Sequence, residues 1–244
     1  MTKYLIIGDV HGCLDELTTM LYYYGKGREI ISVGDLVDKG PKSHRVVEYF
    51  MLHGQCVLGN HEELHIRYHR HEKRREEQGV TNPMKRRPDE FKKTYSKLRY
   101  RSNLPIFAWL DTLPPYIELY EHDVVVIHGG VLPGYSYKTM DPKLLCRVRD
   151  VKDDGTMARL GHIKDPNTRT LHWPETRTDK GPLIVYGHDP FPEVRYVNNT
   201  LCLDTGCVYG NKLSGLLLPE RDIVTVQANK VYQSQSSRHD WVNK

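Results

Sequence analysis

Five times in this chain an apolar run stops at glycine flanked by Asp, His or Asn: Gly8-Asp9-Val10-His11-Gly12, Gly34-Asp35, Gly59-Asn60-His61-Glu62, His128-Gly129-Gly130 and Gly187-His188. A short apolar run bounded by turn residues reads as a buried strand. Between the first three runs, Leu14, Leu17, Thr18 and Leu21, and then Val46, Val47, Phe50 and Met51, recur at helical spacing. The chain is therefore predicted to start β-α-β-α-β, with strands at 4–7, 29–33 and 56–58 and helices at about 13–24 and 41–53. Parallel strands of such a unit all end on one edge, where open α/β sheets place their ligands. Side chains far apart in sequence can meet there.

The turns carry one kind of chemistry. Asp9, His11, Asp35, Asp38, Asn60, His61, His128 and His188 offer oxygen and nitrogen donors without thiolate. That set suits Mn(II), Fe, Zn or Mg more than a soft metal. Two ions about 3.5–4 Å apart can share a carboxylate and activate water.

The remainder narrows the class. At 244 residues the chain is expected to form one domain over 1–232, with a loose polar tail at 233–244. No apolar run approaches the ~18 residues of a membrane span. The N-terminus opens on a strand, not a signal peptide, and the five cysteines (Cys13, Cys56, Cys146, Cys202, Cys207) form no Cys-x-x-Cys pair. Both features point to reduced thiols in a cytoplasmic protein. Residues 65–101 hold thirteen Lys or Arg against five Asp or Glu, a balance of +8 in a chain of +4, so the rest is net negative. This stretch reads as two inserted helices, about 62–77 and 89–101. They form either a solvated face or a cationic lid for polyphosphate or nucleic acid. Later strands are predicted at 116–120, 123–127 and 183–186, and antiparallel ones at 200–203, 213–218, 223–227 and 230–232, with 134–182 left as loop. His65 and His69, one helical turn apart, read as surface or packing residues.

In order and spacing, GDVHG (8–12), GDLVDKG (34–40), GNHE (59–62), HGG (128–130) and GH (187–188) resemble the signature blocks of the phosphoprotein-phosphatase-type metallophosphoesterases. Residues 183–221 are most similar to the bacterial PrpE-type bis(5'-nucleosyl)-tetraphosphatases; phage lambda-type Ser/Thr protein phosphatases carry a similar ending. The resemblance implies a calcineurin-like α/β sandwich, two mixed β-sheets flanked by helices, here with a basic helical insertion. It also implies two divalent metal ions, Mn(II) foremost, with Fe, Zn, Ni or Mg as alternatives. Asp9 and His11 would bind the first ion and Asp35 would bridge both. Asn60, His128 and His188 would complete the second. His61 would protonate the leaving oxygen, oriented by Asp38. Lys39 stands where the family usually has Arg; it keeps the charge but not the planar fork. Arg147 and Arg149 are the further candidates for holding phosphate, and Arg177 an outside one.

The implied activity is hydrolysis of phosphate esters or anhydrides. A nucleoside polyphosphate such as diadenosine tetraphosphate leads as substrate, on the C-terminal ending and the basic insertion. A phosphoprotein is second and an RNA end third, since the blocks are common to all three. A non-catalytic nucleic-acid binder is the reading from another class, and the completeness of the donor set argues against it.

Overall fold

The structure, a computed structural model, describes residues 1–158 and 169–234; most of the expected tail, from 235 on, lies outside the described residues. In the first half β1 (Tyr4–Ile7), α1 (Leu14–Tyr24), β2 (Glu29–Ser32), α2 (Ser43–His53), β3 (Gln55–Cys56) and α3 (Asn60–Gln78) alternate, followed by α4 (Asp89–Tyr100) and α5 (Ile106–Leu110). The second half contains β4 (Tyr116–Leu119), β5 (Val124–Ile127), α6 (Pro142–Leu145), β6 (Asp150–Lys152), β7 (Met157–Ala158), β8 (Thr170–His172), β9 (Leu183–Tyr186), β10 (Arg195–Val197), β11 (Thr200–Cys202), β12 (Lys212–Leu218) and β13 (Asp222–Gln227).

Two five-stranded mixed sheets result, ordered β13-β12-β1-β2-β3 and β10-β11-β9-β5-β4. In the first, β1, β2 and β3 are parallel and β12 runs against β1. In the second, β5, β9 and β11 are parallel. The pleat sorts the apolar residues, because neighbours along a strand face opposite ways. Ile6, Ile31, Val33 and Val57 of one sheet meet Val124, Val126, Leu183 and Val185 of the other in the middle of the sandwich. Leu5 and Ile7 face instead the layer of Leu17, Met20, Val46, Val47 and Phe50 from α1 and α2. On the far side Val125, Ile127, Ile184 and Tyr186 pack on Leu145, Val148, Val151 and Trp173. Strands covered on both faces read as continuous apolar runs, which is how they stand in the sequence.

Three expectations are corrected. The stretch expected as loop holds α6 and a small three-stranded sheet, β7-β6-β8. Its strands are two or three residues long, too short to show alternation. Residues 230–232 form no strand; their segment crosses the molecule instead, with Tyr232 and Gln233 both donating to the Val208 carbonyl. The strand near 200 is parallel to β9 and gains its antiparallel partner from β10, which has no predicted counterpart.

The basic helices are more than a solvated face. Ile66 and Tyr68 of α3 and Phe91, Tyr95 and Leu98 of α4 are buried in the layer beside α2 and α5. Most of their Lys and Arg residues are exposed, although Arg99 bonds Glu76 and the Tyr95 hydroxyl, and α3 stops where Gly79 turns left-handed. Among the described residues no helix is long and apolar enough to cross a membrane.

Candidate active site

The carboxyl ends of β1, β2 and β3 and those of β5 and β9 meet at one edge of the sandwich. Backbone bonds lace the turns together: His11 N and Gly12 N donate to Asp35 O and Leu36 O at 2.8 Å each, and Gly40 N donates to His11 O at 2.9 Å. Five residues here other than glycine sit in the left-handed region: His11, Asp35, Asp38, Lys39 and His188, with φ of 44°, 52°, 69°, 63° and 72°. Each such residue costs energy, and the surrounding bonds hold it there. Close approach also dictates composition. A Cβ on Gly187 would lie 1.9 Å from Asp9 Oδ1, so no larger residue fits beside that carboxylate.

Asp35 stands at the centre with one oxygen facing each way. Its Oδ2 is 3.6 Å from His11 Nε2 and 3.9 Å from His61 Nε2. Its Oδ1 is 3.3 Å from His128 Nε2 and accepts the His61 amide at 3.0 Å. Asp35 thus belongs to two groups whose ligand atoms lie within 4.8 Å of one another, His11-Asp35-His61, with His61 half-buried, and the fully buried Asp35-His128-His188. Asp9 is 4.0 Å from His11 Nε2 and accepts the His188 amide on both oxygens. Asn60 Oδ1 lies 2.9 Å from His128 Nε2.

Backbone carbonyls fix the rings. His11 Nδ1 donates to Val37 O at 2.7 Å and His128 Nδ1 to Val33 O at 2.8 Å, so each ring turns Nε2 inward. His188 does the reverse: Nε2 donates to Arg147 O at 3.2 Å, leaving the lone pair on Nδ1. Burial, with Lys39 beside His11 and Arg149 beside His188, holds both imidazoles well below their ordinary range, as neutral ligands require. Burial and the nearby Asp204 and Asp35 push Asp9 well above the usual carboxylate range. For Asp35 burial works the same way, but His128 and His61 outweigh it and hold that carboxyl well below its ordinary value.

The donors fit divalent cations. At His128 the ring nitrogen Nε2 and the oxygens of Asn60 and Asp35 converge at 2.9 and 3.3 Å, a nitrogen and oxygen donor set of the kind a divalent cation takes. At His11 a cation is already present, the ammonium of Lys39 at 2.8 Å from Nε2 and 5.1 Å from the centre of the Tyr209 ring.

His61 lies at the rim. Its Nδ1 bonds Asp38 Oδ2 at 2.7 Å, which leaves Nε2 facing the centre, 3.9 Å from Asp35 Oδ2. The other oxygen of Asp38 bonds His65 Nε2 at 2.8 Å, and His65 is fully buried, stacked 4.1 Å from Phe91. Burial opposes charge on Asp38, and its bonds to His61 and His65 override it, pulling the carboxyl far down. Arg147 lies near, its guanidinium shared between Glu63 and Lys143 O. Arg149 donates to His188 O at 2.6 Å. Arg177 is committed elsewhere, to Asn199 O, Pro182 O and Asp179.

Several residues of the site were not foreseen. Glu62 accepts the amides of Asp35, Leu36 and Val37 and so shapes the second turn; burial and Asp35 push its carboxyl up to about 8. Its place in Gly59-Asn60-His61-Glu62 was the available signal. His65 was misread as packing or surface alone, although it lies one helical turn beyond His61 on the same face. Asp204, Tyr209 and Glu63 follow from tertiary contacts.

Comparison with known proteins agrees with this geometry. Residues 2–218 match the family described as calcineurin-like phosphoesterase. The asymmetrical bis(5'-nucleosyl)-tetraphosphatase PrpE of Bacillus subtilis strain 168 is 30% identical over 96% of this chain and 98% of its own. That of Oceanobacillus iheyensis is 29% identical over 93% of each. A crystal structure provisionally assigned as a diadenosine tetraphosphatase superposes with a TM-score of 0.72 at 23% identity, over 93% of this chain and 94% of the other. A cold-active protein-tyrosine phosphatase from a psychrophilic Shewanella shares the fold at a TM-score of 0.56 and 18% identity, over 94% of this chain and 78% of the other. A match that runs over residues 2–218 and through every metal-competent turn shows that the chain belongs to the calcineurin-like phosphoesterases.

Proposed function

We propose that this phosphoesterase hydrolyses dinucleoside polyphosphates, with diadenosine tetraphosphate as the representative substrate and Mn(II) as the metal. The reading rests on one observation above others: a single carboxylate, Asp35, is common to two histidine-bearing groups, with the His61–Asp38 pair at their rim. Asp9, His11 and Asp35 would hold one ion, and Asp35, Asn60, His128 and His188 the other. Such ions lower the cost of ionising an attacking water and withdraw charge from the phosphoryl oxygens. The chain's own residues do the rest. Lys39, Arg147 and Arg149 place positive charge around the phosphate chain and orient it for in-line attack. His61 gives the proton on Nε2 to the leaving oxygen while Nδ1 stays bonded to Asp38, so the ring keeps its tautomer and its aim.

The choice of substrate is supported by the PrpE relatives, which span nearly the whole chain and are named for asymmetrical cleavage of bis(5'-nucleosyl) tetraphosphates. The exposed Lys and Arg of 65–101 suit a polyanion. A cytoplasmic site of action fits five free, buried cysteines.

Chromatography of the products from diadenosine tetraphosphate and Mn(II)-loaded protein, beside a phosphopeptide, tests the proposal. Conversion to ATP and AMP is expected. ADP alone would mean symmetrical cleavage. An intact dinucleotide beside a dephosphorylated peptide would replace this reading with that of a protein phosphatase.

A further inference from the structure

A second group of metal-competent side chains lies outside the Asp35 centre and takes no part in the proposed hydrolysis. Cys13 at the start of α1, Glu16 one turn on and Cys207 in the turn before β12 bring their ligand atoms within 4.8 Å of one another. All three are buried, at 1%, 1% and 2% exposure, against the apolar layer of Leu17, Met20 and Val208.

The carboxylate marks this group as more than a packed thiol pair. Glu16 Oε1 accepts the Asn229 amide at 2.8 Å and the Tyr232 hydroxyl at 2.9 Å, both neutral donors. Glu16 Oε2 is buried on the same side chain with no hydrogen-bond partner. Leaving such an oxygen unmet costs about 1–3 kcal/mol, more for a charged group. Contact with Cys13 and burial hold the Cys207 thiol far above its ordinary range, so Cys207 rests as a neutral thiol.

We propose that Cys13, Glu16 and Cys207 form a binding site for a borderline-soft divalent cation of the zinc type. Donors around one zinc ion stand roughly 3.3–3.8 Å apart, given bonds of about 2.0–2.3 Å in a tetrahedron, so the group needs to close by at most about 1.0–1.5 Å. Two sulfurs favour zinc over the Mn(II) and Mg(II) that suit an oxygen and nitrogen set. On binding, both thiols release their protons to solvent. The ion brings two positive charges and the thiols two negative ones, so the net charge of the group stays that of the single carboxylate, and Oε2 gains its partner. Asn229 and Tyr232 hold Glu16, and Tyr232 and Gln233 hold Val208 O, so release of this one segment is the route by which the ion would reach Glu16.

The test uses the full chain, reduced, stripped with a chelator and titrated with Co(II), following the near-ultraviolet charge-transfer band of cobalt thiolate. The donors around Asp35 include no sulfur, so filling that centre leaves the band unchanged, and success or failure here is separate from that of the hydrolase reading. The expected result is a band that saturates at about one equivalent, survives Asp35→Asn and a Cys56→Ser control, weakens in Glu16→Gln, disappears in Cys207→Ser, and is bleached by added Zn(II). Wild-type protein with no thiolate band at saturating Co(II) overturns the proposal without recourse to any variant. A band that persists in the Cys13→Ser, Cys207→Ser double variant overturns it as well.

Discussion

The ammonium of Lys39 stands 2.8 Å from His11 Nε2, the nitrogen that His11 turns toward Asp35. Burial opposes charge there, but Tyr209 and Asp35 outweigh it and raise Lys39 above its ordinary value, so it remains a cation. Lys39 and a divalent ion therefore compete for one lone pair. Lys39→Met is expected to tighten binding of the first ion about tenfold, a difference of ~1.4 kcal/mol, while KM for the phosphate substrate rises. Calorimetric titration with Mn(II) beside steady-state kinetics measures both; unchanged metal affinity would show that the contact is inconsequential.

His61→Asn should cut kcat by about a hundred- to ten-thousand-fold, the range for losing a general acid, with metal stoichiometry unchanged. Atomic absorption on the purified variant, alongside turnover, separates the two. Parent-like turnover would remove His61 from the acid role.

His65 acts through Asp38. Its Nε2 holds one carboxylate oxygen while His61 holds the other. His65→Phe fills the same stack on Phe91 and frees Asp38 Oδ1. We expect kcat to fall roughly tenfold, for loss of one charge-assisted hydrogen bond of about 1.5 kcal/mol, with KM little changed and the acid limb of the pH profile displaced upward as Asp38 relaxes toward its ordinary value. A purely structural role would lower the melting temperature and leave the profile where it was.

Asp9, Asp35 and Asp204 crowd one another in the buried centre, and bound divalent ions would relieve the repulsion. At about 100 times Kd a bound ion adds ~2.7 kcal/mol of stability, which is roughly 5–11 °C of melting temperature in a chain of this size. Scanning calorimetry with chelator and with Mn(II) should show that gap. Asp9→Asn should raise the chelated midpoint and lose most of the gain.

His69 lies between α3, α4 and α5, stacked 3.9 Å from Phe107 and bonded to the Tyr95 hydroxyl at 3.0 Å. Burial and then Arg99 hold its pKa below the ordinary value. The unfolded chain therefore takes up this proton first, and stability is complete above about pH 6.5 and falls as pH drops through that value toward the lowered folded one. Denaturant unfolding between pH 7.5 and pH 5, on the order of the range quoted for histidine, should show a shallower loss for His69→Phe than for the parent. Equal slopes would place the titration elsewhere.

The sequence by itself determined where strands end and which donors stand there. Apolar runs, helical spacing and glycine act over a few residues, so Asp9, His11, Asp35, Asn60 and His61 could be read as turn residues of one parallel unit, and His128 and His188 as residues at the ends of later strands. Short segments escaped for the same reason: β6, β7 and β8 have too few residues to carry a period. Tertiary structure decided what the turns face. The phase of α3 and its packing on α4 bring His65 to Asp38, and the bend of the second turn seats Lys39 on His11. Pairing of β12 with β1 carries Cys207 back to Cys13 across the length of the chain. Such contacts follow from sheet order and layer packing, which no local pattern encodes.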